Sequence, residues 1–178
     1  PNIILMTPSD ENETRLLLTT AYKYKGPAAV RYPRGTGPNS TVKFALEPLE
    51  IGKAKLVREG KSNIIFLNFG ALLDEAEIVS KEMDMTLIDM RFVKPLDEDM
   101  LHKYLNNADM FVSLEDGSIS GGAGSAVQEY CGRNNIIIKS LLFGIPDEFI
   151  DHASREEMLD QAGLSATKIL DKLKTLQE

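Results

Sequence analysis

Two arginines flank a proline in AVRYPRG, the stretch from Ala29 to Gly35. Ala28, Ala29, Val30 and Tyr32 read as a short buried strand ending at Pro33, with Arg31 and Arg34 on either side of the proline. A guanidinium at the carboxyl end of a strand faces the crevice where open α/β sheets bind ligands. Its planar fork suits phosphate or carboxylate. An ion pair with a neighbouring acidic residue is the plainer use of the same side chains, and both readings stand at this point.

Other residues could do chemistry, each with a plainer use. SISGGAGSAVQEY puts Gly121, Gly122 and Gly124 at the start of an expected helix, as phosphate-binding loops do. It lacks the lysine and hydroxyl of a P-loop and the GxGxxG spacing, so close packing of helix on strand is the preferred role. Glu115 and Asp116 end an expected strand. With no histidine or third carboxylate close by in sequence, a cap on the next helix suits them better than metal or acid–base work. His102 falls on a polar helix face and His152 in a loop, both surface positions. Cys131, late in a helix beside Tyr130, packs. Arg91 and Lys94 follow a strand and could hold an anion, but Asp89, Asp97 and Glu98 are ready partners. No Ser-His-Asp set or zinc spacing is visible, and no catalytic, cofactor or metal residue is assigned.

The composition sets the limits. The chain has 178 residues, 43% hydrophobic and 26% charged, which suits one domain or one domain with an attachment. A net charge of −7 argues against a general nucleic-acid binder. One cysteine cannot form an internal disulfide, and a cytoplasmic location is expected. Apolar runs such as IIFL and SLLFG are too short to span a bilayer, so no membrane partner is expected. The chain opens on Pro1, almost directly into a strand-like run, as an excised piece of a longer protein would.

The elements that must position these residues alternate. NIILM is a strand and PSDENETRLLLTTAYKY a helix, capped by Ser9 or Asp10; AAVRYP is the second strand of that unit. Residues 35–48, rich in glycine and proline, read as a linker. GKAKLVRE and SNIIFLNFG follow as strands joined by a turn at Gly60. ALLDEAEIVSKEM is a helix, MTLIDMRFV one strand stopped by Pro95, and LDEDMLHKYLNN a helix. DMFVSLED is a strand, GGAGSAVQEYCGR a helix and NIIIKSLLFG a strand. Two helices end the chain, the first opened by a capping box from Ser154 to Glu157. The expected fold is α/β, a mostly parallel sheet with helices on both faces, preceded by a partial strand–helix–strand unit.

MTPSDENE, AVRYPRG, LNFGALLDEA, LIDMRFVKPLDE, LEDGSISGGAGSAVQE and LFGIPDEFIDHASREEMLDQAGL occur in an order and spacing that resemble the 1-deoxy-D-xylulose-5-phosphate synthases. These are transketolase-like thiamine diphosphate enzymes. The resemblance covers almost the whole chain. It implies a carboxyl-terminal fragment: residues 1–34 as the tail of a pyrimidine-binding domain, 35–48 as linker, and 49–178 as a transketolase-type carboxyl-terminal domain able to fold alone. Transketolases and 2-oxoacid dehydrogenase beta subunits share the architecture but look less similar in DMRFVKPLDE and the FGIPDEFI tail. A stand-alone α/β subunit-contact module is the rival from another class.

The resemblance also implies a reaction, in which pyruvate and D-glyceraldehyde 3-phosphate condense to 1-deoxy-D-xylulose 5-phosphate and CO2, for isoprenoid, thiamine and pyridoxal precursors. The longer enzymes are homodimers that use thiamine diphosphate and Mg2+. Their cofactor motifs have no match between Pro1 and Glu178, so the fragment is expected to bind neither and to be inactive alone. The second arginine of RYPRG binds substrate phosphate in that family, a role that carries to Arg34. Arg31 is then structural, turned toward nearby carboxylates.

Overall fold

The structure, a computed structural model, describes residues 1–33 and 46–176. Arg34 and most of the expected linker, residues 35–45, lie outside the described residues. A unit of β1 (Ile4–Met6), α1 (Glu11–Lys23) and β2 (Ala28–Val30) comes first. After it come β3 (Lys55–Arg58), β4 (Ile64–Phe69), α2 (Leu73–Glu82), β5 (Thr86–Asp89) and β6 (Phe92–Lys94). The chain continues through α3 (Glu98–Leu105), β7 (Met110–Ser118), α4 (Ala123–Arg133) and β8 (Lys139–Ile145), and closes with α5 (Arg155–Gln161) and α6 (Ala166–Thr175).

Among the described residues the larger sheet has five strands in the order β3-β5-β4-β7-β8. All neighbours are parallel except β3, which runs antiparallel to β5. The expected α/β architecture is therefore present. The alternation of a pleated strand divides the core in two. Ile65, Leu67 and Phe69 of β4 pack with Leu101 and Leu105 of α3 and with Val127 and Tyr130 of α4. Phe66 of the same strand packs on the opposite face with Ala76 and Val79 of α2 and with Ile169 and Leu173 of α6. Both faces are covered by helices, as continuous apolar runs in parallel strands require.

A second sheet has the order β2-β1-β6. β1 pairs in parallel with β2 and antiparallel with β6, with Met6 opposite Phe92. The segment expected as one strand, MTLIDMRFV, is thus two. Arg91 takes the left-handed conformation, φ 58°, and turns the chain out of the large sheet into the small one. Ile4, Met6, Leu17 and Phe92 form the core of this junction, with Leu49 packed against it.

Two further expectations need correction. The strand AAVRYP is not buried: Ala28 is exposed and Tyr32 is 60% exposed, because β2 is an outer strand with β1 as its one described neighbour. The two strands expected on either side of a turn at Gly60 are present as β3 and β4, and β3 lies against β5. β8 begins at Lys139 and leaves Ile137 fully exposed. Local capping is as expected at two helices: Asp10 accepts from the Glu13 amide at 2.7 Å, and Ser154 and Glu157 form a capping box.

Candidate functional site

The carboxyl ends of β1, β4, β5 and β7 meet where the two sheets join, and Arg31, Asp89, Arg91, Glu115 and Asp116 gather there. Glu115 sits within β7, which continues to Ser118, and its side chain returns to the amino terminus of α4. It accepts hydrogen bonds from the Ala123 and Gly124 amides, both at 3.0 Å. A carboxylate there satisfies orphan N–H groups and opposes the helix dipole. The glycines make room for it: a Cβ on Gly122 would fall 2.4 Å from Glu115 Oε1, and one on Gly124 would fall 2.3 Å from Ser113 Oγ. Close packing is what the geometry supports at Gly122 and Gly124, where the anion position at the helix end is taken by the chain's own carboxylate; Gly121 has open space around it and a left-handed backbone, φ 72°.

Asp116, next along β7, pairs with Arg31: one guanidinium nitrogen meets the carboxylate and the other donates to the Asp116 carbonyl at 2.8 Å. Arg31 therefore ties the end of β2 to the large sheet, the structural use expected of it. Beneath this contact is a cavity of about 130 Å³, lined by Thr7, Arg31, Phe69, Glu115 and Gly122 among others.

Arg91 was expected to find Asp89, Asp97 or Glu98. Its left-handed backbone turns it instead toward α1, where it donates to Glu13 Oε1 at 2.6 Å. Asp97 caps α3, accepting from the Met100 amide at 3.1 Å, and also accepts from the Ala54 amide at 2.9 Å. Lys53 bonds Asp99 at 2.8 Å, an exposed pair that raises the lysine pKa and lowers that of the aspartate. Lys94, His102 and His152 are exposed, and Cys131 is buried, which pushes its thiol pKa up.

The residue that sequence reasoning passed over as a mere partner is Asp89. Its side chain is wholly buried, and Ser9 Oγ donates to it at 2.7 Å. The available signal was a carboxylate inside the apolar run TLIDM. Among the described residues no group of three histidine, cysteine, aspartate or glutamate side chains is placed to hold a metal, and no helix is long and apolar enough to cross a membrane.

A parallel α/β domain hooked through one strand onto a preceding strand–helix–strand unit places the chain in the transketolase class of folds. It belongs to the family described as transketolase, C-terminal domain, whose model matches residues 52–169. It is 49% identical over 169 residues to the 1-deoxy-D-xylulose-5-phosphate synthase of Pseudomonas syringae pv. syringae, an alignment covering 95% of this chain and 27% of that protein. The synthase of Hahella chejuensis is 49% identical over 174 residues, covering 98% and 27%. The chain thus spans about 27% of the length of these curated relatives. Among solved structures, a split-gene transketolase described as an inactive beta4 tetramer superposes with a TM-score of 0.81 at 26% identity, covering 98% of this chain and 57% of that one. Transketolase from Campylobacter jejuni gives 0.63 at 16% identity, a likeness of fold, over 98% of this chain and 26% of that one.

Proposed function

We propose that this chain is the carboxyl-terminal part of a 1-deoxy-D-xylulose-5-phosphate synthase, which condenses pyruvate with D-glyceraldehyde 3-phosphate and releases CO2. The observation that carries the reading is the near-50% identity along almost the entire chain to proteins of that name. The domain division at residues 34 and 48, homodimerisation and a cytoplasmic location belong to the same proposal.

In this reading Arg34 holds the phosphate of the aldehyde substrate by charge and by its planar fork. The Arg31–Asp116 contact anchors the strand that leads to it. Fixing the phosphate end of the acceptor holds the aldehyde where it can react. The described residues do not fit thiamine diphosphate or Mg2+. They include no metal-capable cluster, and the glycine-flanked end of α4 is filled by Glu115. In this reading the cofactor site belongs to the part of the enzyme outside this chain.

The full-length protein containing this segment, assayed with the two substrates, thiamine diphosphate and Mg2+, should give product and CO2 in equal amounts. Ketol transfer between sugar phosphates instead would refute the assignment. This chain alone should be inactive and give no saturable calorimetric titration with thiamine diphosphate and Mg2+; micromolar binding would overturn the division of labour.

A further inference from the structure

Asp116 stands at the seam between the two sheets, one residue beyond Glu115 on β7. That strand is an inner one, paired with β4 on one side and β8 on the other. Phe111, Val112 and Leu114 bury its stem, and Glu115 fastens its end to α4. Asp116 is thus carried by a strand held from both sides and from the helix ahead of it. The segment that it grips is the opposite. β2 is a three-residue outer strand, with Ala28 exposed on it and Tyr32 exposed just past it. Among the described residues, two ties fix the chain where β2 ends. The Arg31 amide donates to the Met6 carbonyl at 2.8 Å, and the Arg31 guanidinium spans Asp116, one nitrogen on the carboxylate and the other donating to the carbonyl at 2.8 Å. Of these two, only the second reaches the five-stranded sheet, and a forked guanidinium fixes direction as well as distance.

Arg34 lies outside the described residues, three positions past Arg31 with Pro33 between them. Three residues of chain span at most about 11 Å, and the proline fixes one of the intervening φ angles. Resting on the reading that Arg34 binds the acceptor phosphate, we propose that Asp116 is a positioning residue for that phosphate. Through Arg31 it sets where the arginine-bearing segment starts, and so gives the carboxyl-terminal domain a share in selecting the phosphorylated aldehyde. The argument is one of tolerance, because a misplacement of about 1 Å can cost on the order of a hundredfold in rate. Without the Asp116 side chain, the end of β2 keeps its bond to β1 but loses its charged tie to the larger sheet. The phosphate ligand three residues on then has no fixed base. The Arg31 side chain is half-exposed, and ion pairs of that kind contribute little to stability. Removing the carboxylate therefore loosens this end without unfolding the domain. An aldehyde with no phosphate gives Arg34 nothing to hold and is indifferent to the loosening.

The test compares D-glyceraldehyde 3-phosphate with glyceraldehyde in the full-length enzyme, supplied with pyruvate, thiamine diphosphate and Mg2+. The variants are Asp116→Ala, Asp116→Asn, Arg34→Ala and the double variant Arg34→Ala/Asp116→Ala. Asp116→Ala should lower kcat/KM for the phosphorylated aldehyde roughly three- to tenfold, less than Arg34→Ala, because it disturbs the arginine without removing it. Asp116→Asn keeps one side-chain acceptor and should lose less. With glyceraldehyde, kcat/KM in both Asp116 variants should change by less than about twofold, which also reports that they are folded. In the Arg34→Ala background, Asp116→Ala should cost less than about twofold, since nothing is left to position. An equal loss with both aldehydes in Asp116→Ala would make Asp116 a prop for the fold instead. No loss with either aldehyde, or a further loss of the same size in the double variant, would also overturn the proposal. If Arg34→Ala itself fails to separate the two aldehydes, the phosphate reading of Arg34 is wrong and the positioning role falls with it. A selective Arg34→Ala beside an unselective Asp116→Ala would keep that reading and refute the positioning role alone.

Discussion

Replacing Glu115 by alanine tests whether one side chain holds α4 onto the sheet. The change deletes both acceptors of the Ala123 and Gly124 amides. A buried donor left without a partner costs roughly 1–3 kcal/mol, and loss of the favourable dipole contact adds about 0.3–1 kcal/mol. The adjoining cavity of about 130 Å³ is large enough to admit water to the vacated position. The total should therefore lie near the lower end, about 2–4 kcal/mol. For a chain of this length that lowers Tm by roughly 4–16 °C, measurable by circular dichroism or calorimetry. Glu115→Gln keeps one acceptor and should fall between alanine and the unmodified chain. The deletion also vacates an anion position at a helix terminus. If sulfate occupies it with a Kd on the order of 10 mM, then about 100 mM sulfate should restore roughly 1.4 kcal/mol to the alanine variant. The unmodified chain should show only the general salting effect. A melt within about 2 °C of the unmodified chain, or an equal sulfate response in both proteins, would show that the carboxylate does not secure α4.

In the full-length enzyme, Arg34→Ala should reduce kcat/KM for D-glyceraldehyde 3-phosphate by roughly ten- to a hundredfold. KM for pyruvate and turnover of unphosphorylated glyceraldehyde should stay close to normal, and an equal loss with both aldehydes would withdraw the phosphate role. Deleting residues 1–48 should leave a cooperative melt in the remaining domain but at a lower midpoint. Phe92 loses its packing against Met6 and Leu17, worth about 1.5–3 kcal/mol, and an unchanged midpoint would mean that the seam contributes nothing. Asp97→Ala should cost about 1–3 kcal/mol in urea denaturation, since two backbone donors, on Met100 and Ala54, depend on it. Asp97→Asn keeps one acceptor of the two, since Met100 and Ala54 bond different carboxylate oxygens, and should recover only part of that loss.

The larger sheet and its helices were legible because central strands are apolar runs, as at IIFLNF, and helices open on capping residues, as at Ser154. Those signals are local: an unbroken apolar run marks a strand buried on both faces, and a capping side chain bonds amides within its own helical turn. The break at Met90–Arg91 was not legible: LIDMRFV has strand propensity throughout, and only the pairing of Phe92 with Met6 pulls the chain away. The burial of AAV was misread because apolar character does not say whether a strand has neighbours on both sides. Among the polar groups, the short-range contact from Glu115 to α4 could be anticipated. The partners of Arg91 and Asp89 could not, since Glu13 is 78 residues from the first and Ser9 is 80 from the second.

The route from β5 into β6 has a consequence for synthesis on the ribosome. β1 emerges well before β6, and its β6 edge can be covered only after Phe92 has been made, roughly eighty-six residues later, or about 4–17 s at ordinary elongation rates. Until then that side of β1 offers unpaired backbone groups to any extended segment nearby, including another nascent chain on the same message. Closing this edge must wait for a distant strand, so the interval before β6 arrives is when mispairing is most dangerous. Slowing translation between Met6 and Phe92 would lengthen that exposure, whereas slowing it after Lys94 would give the seam time to close.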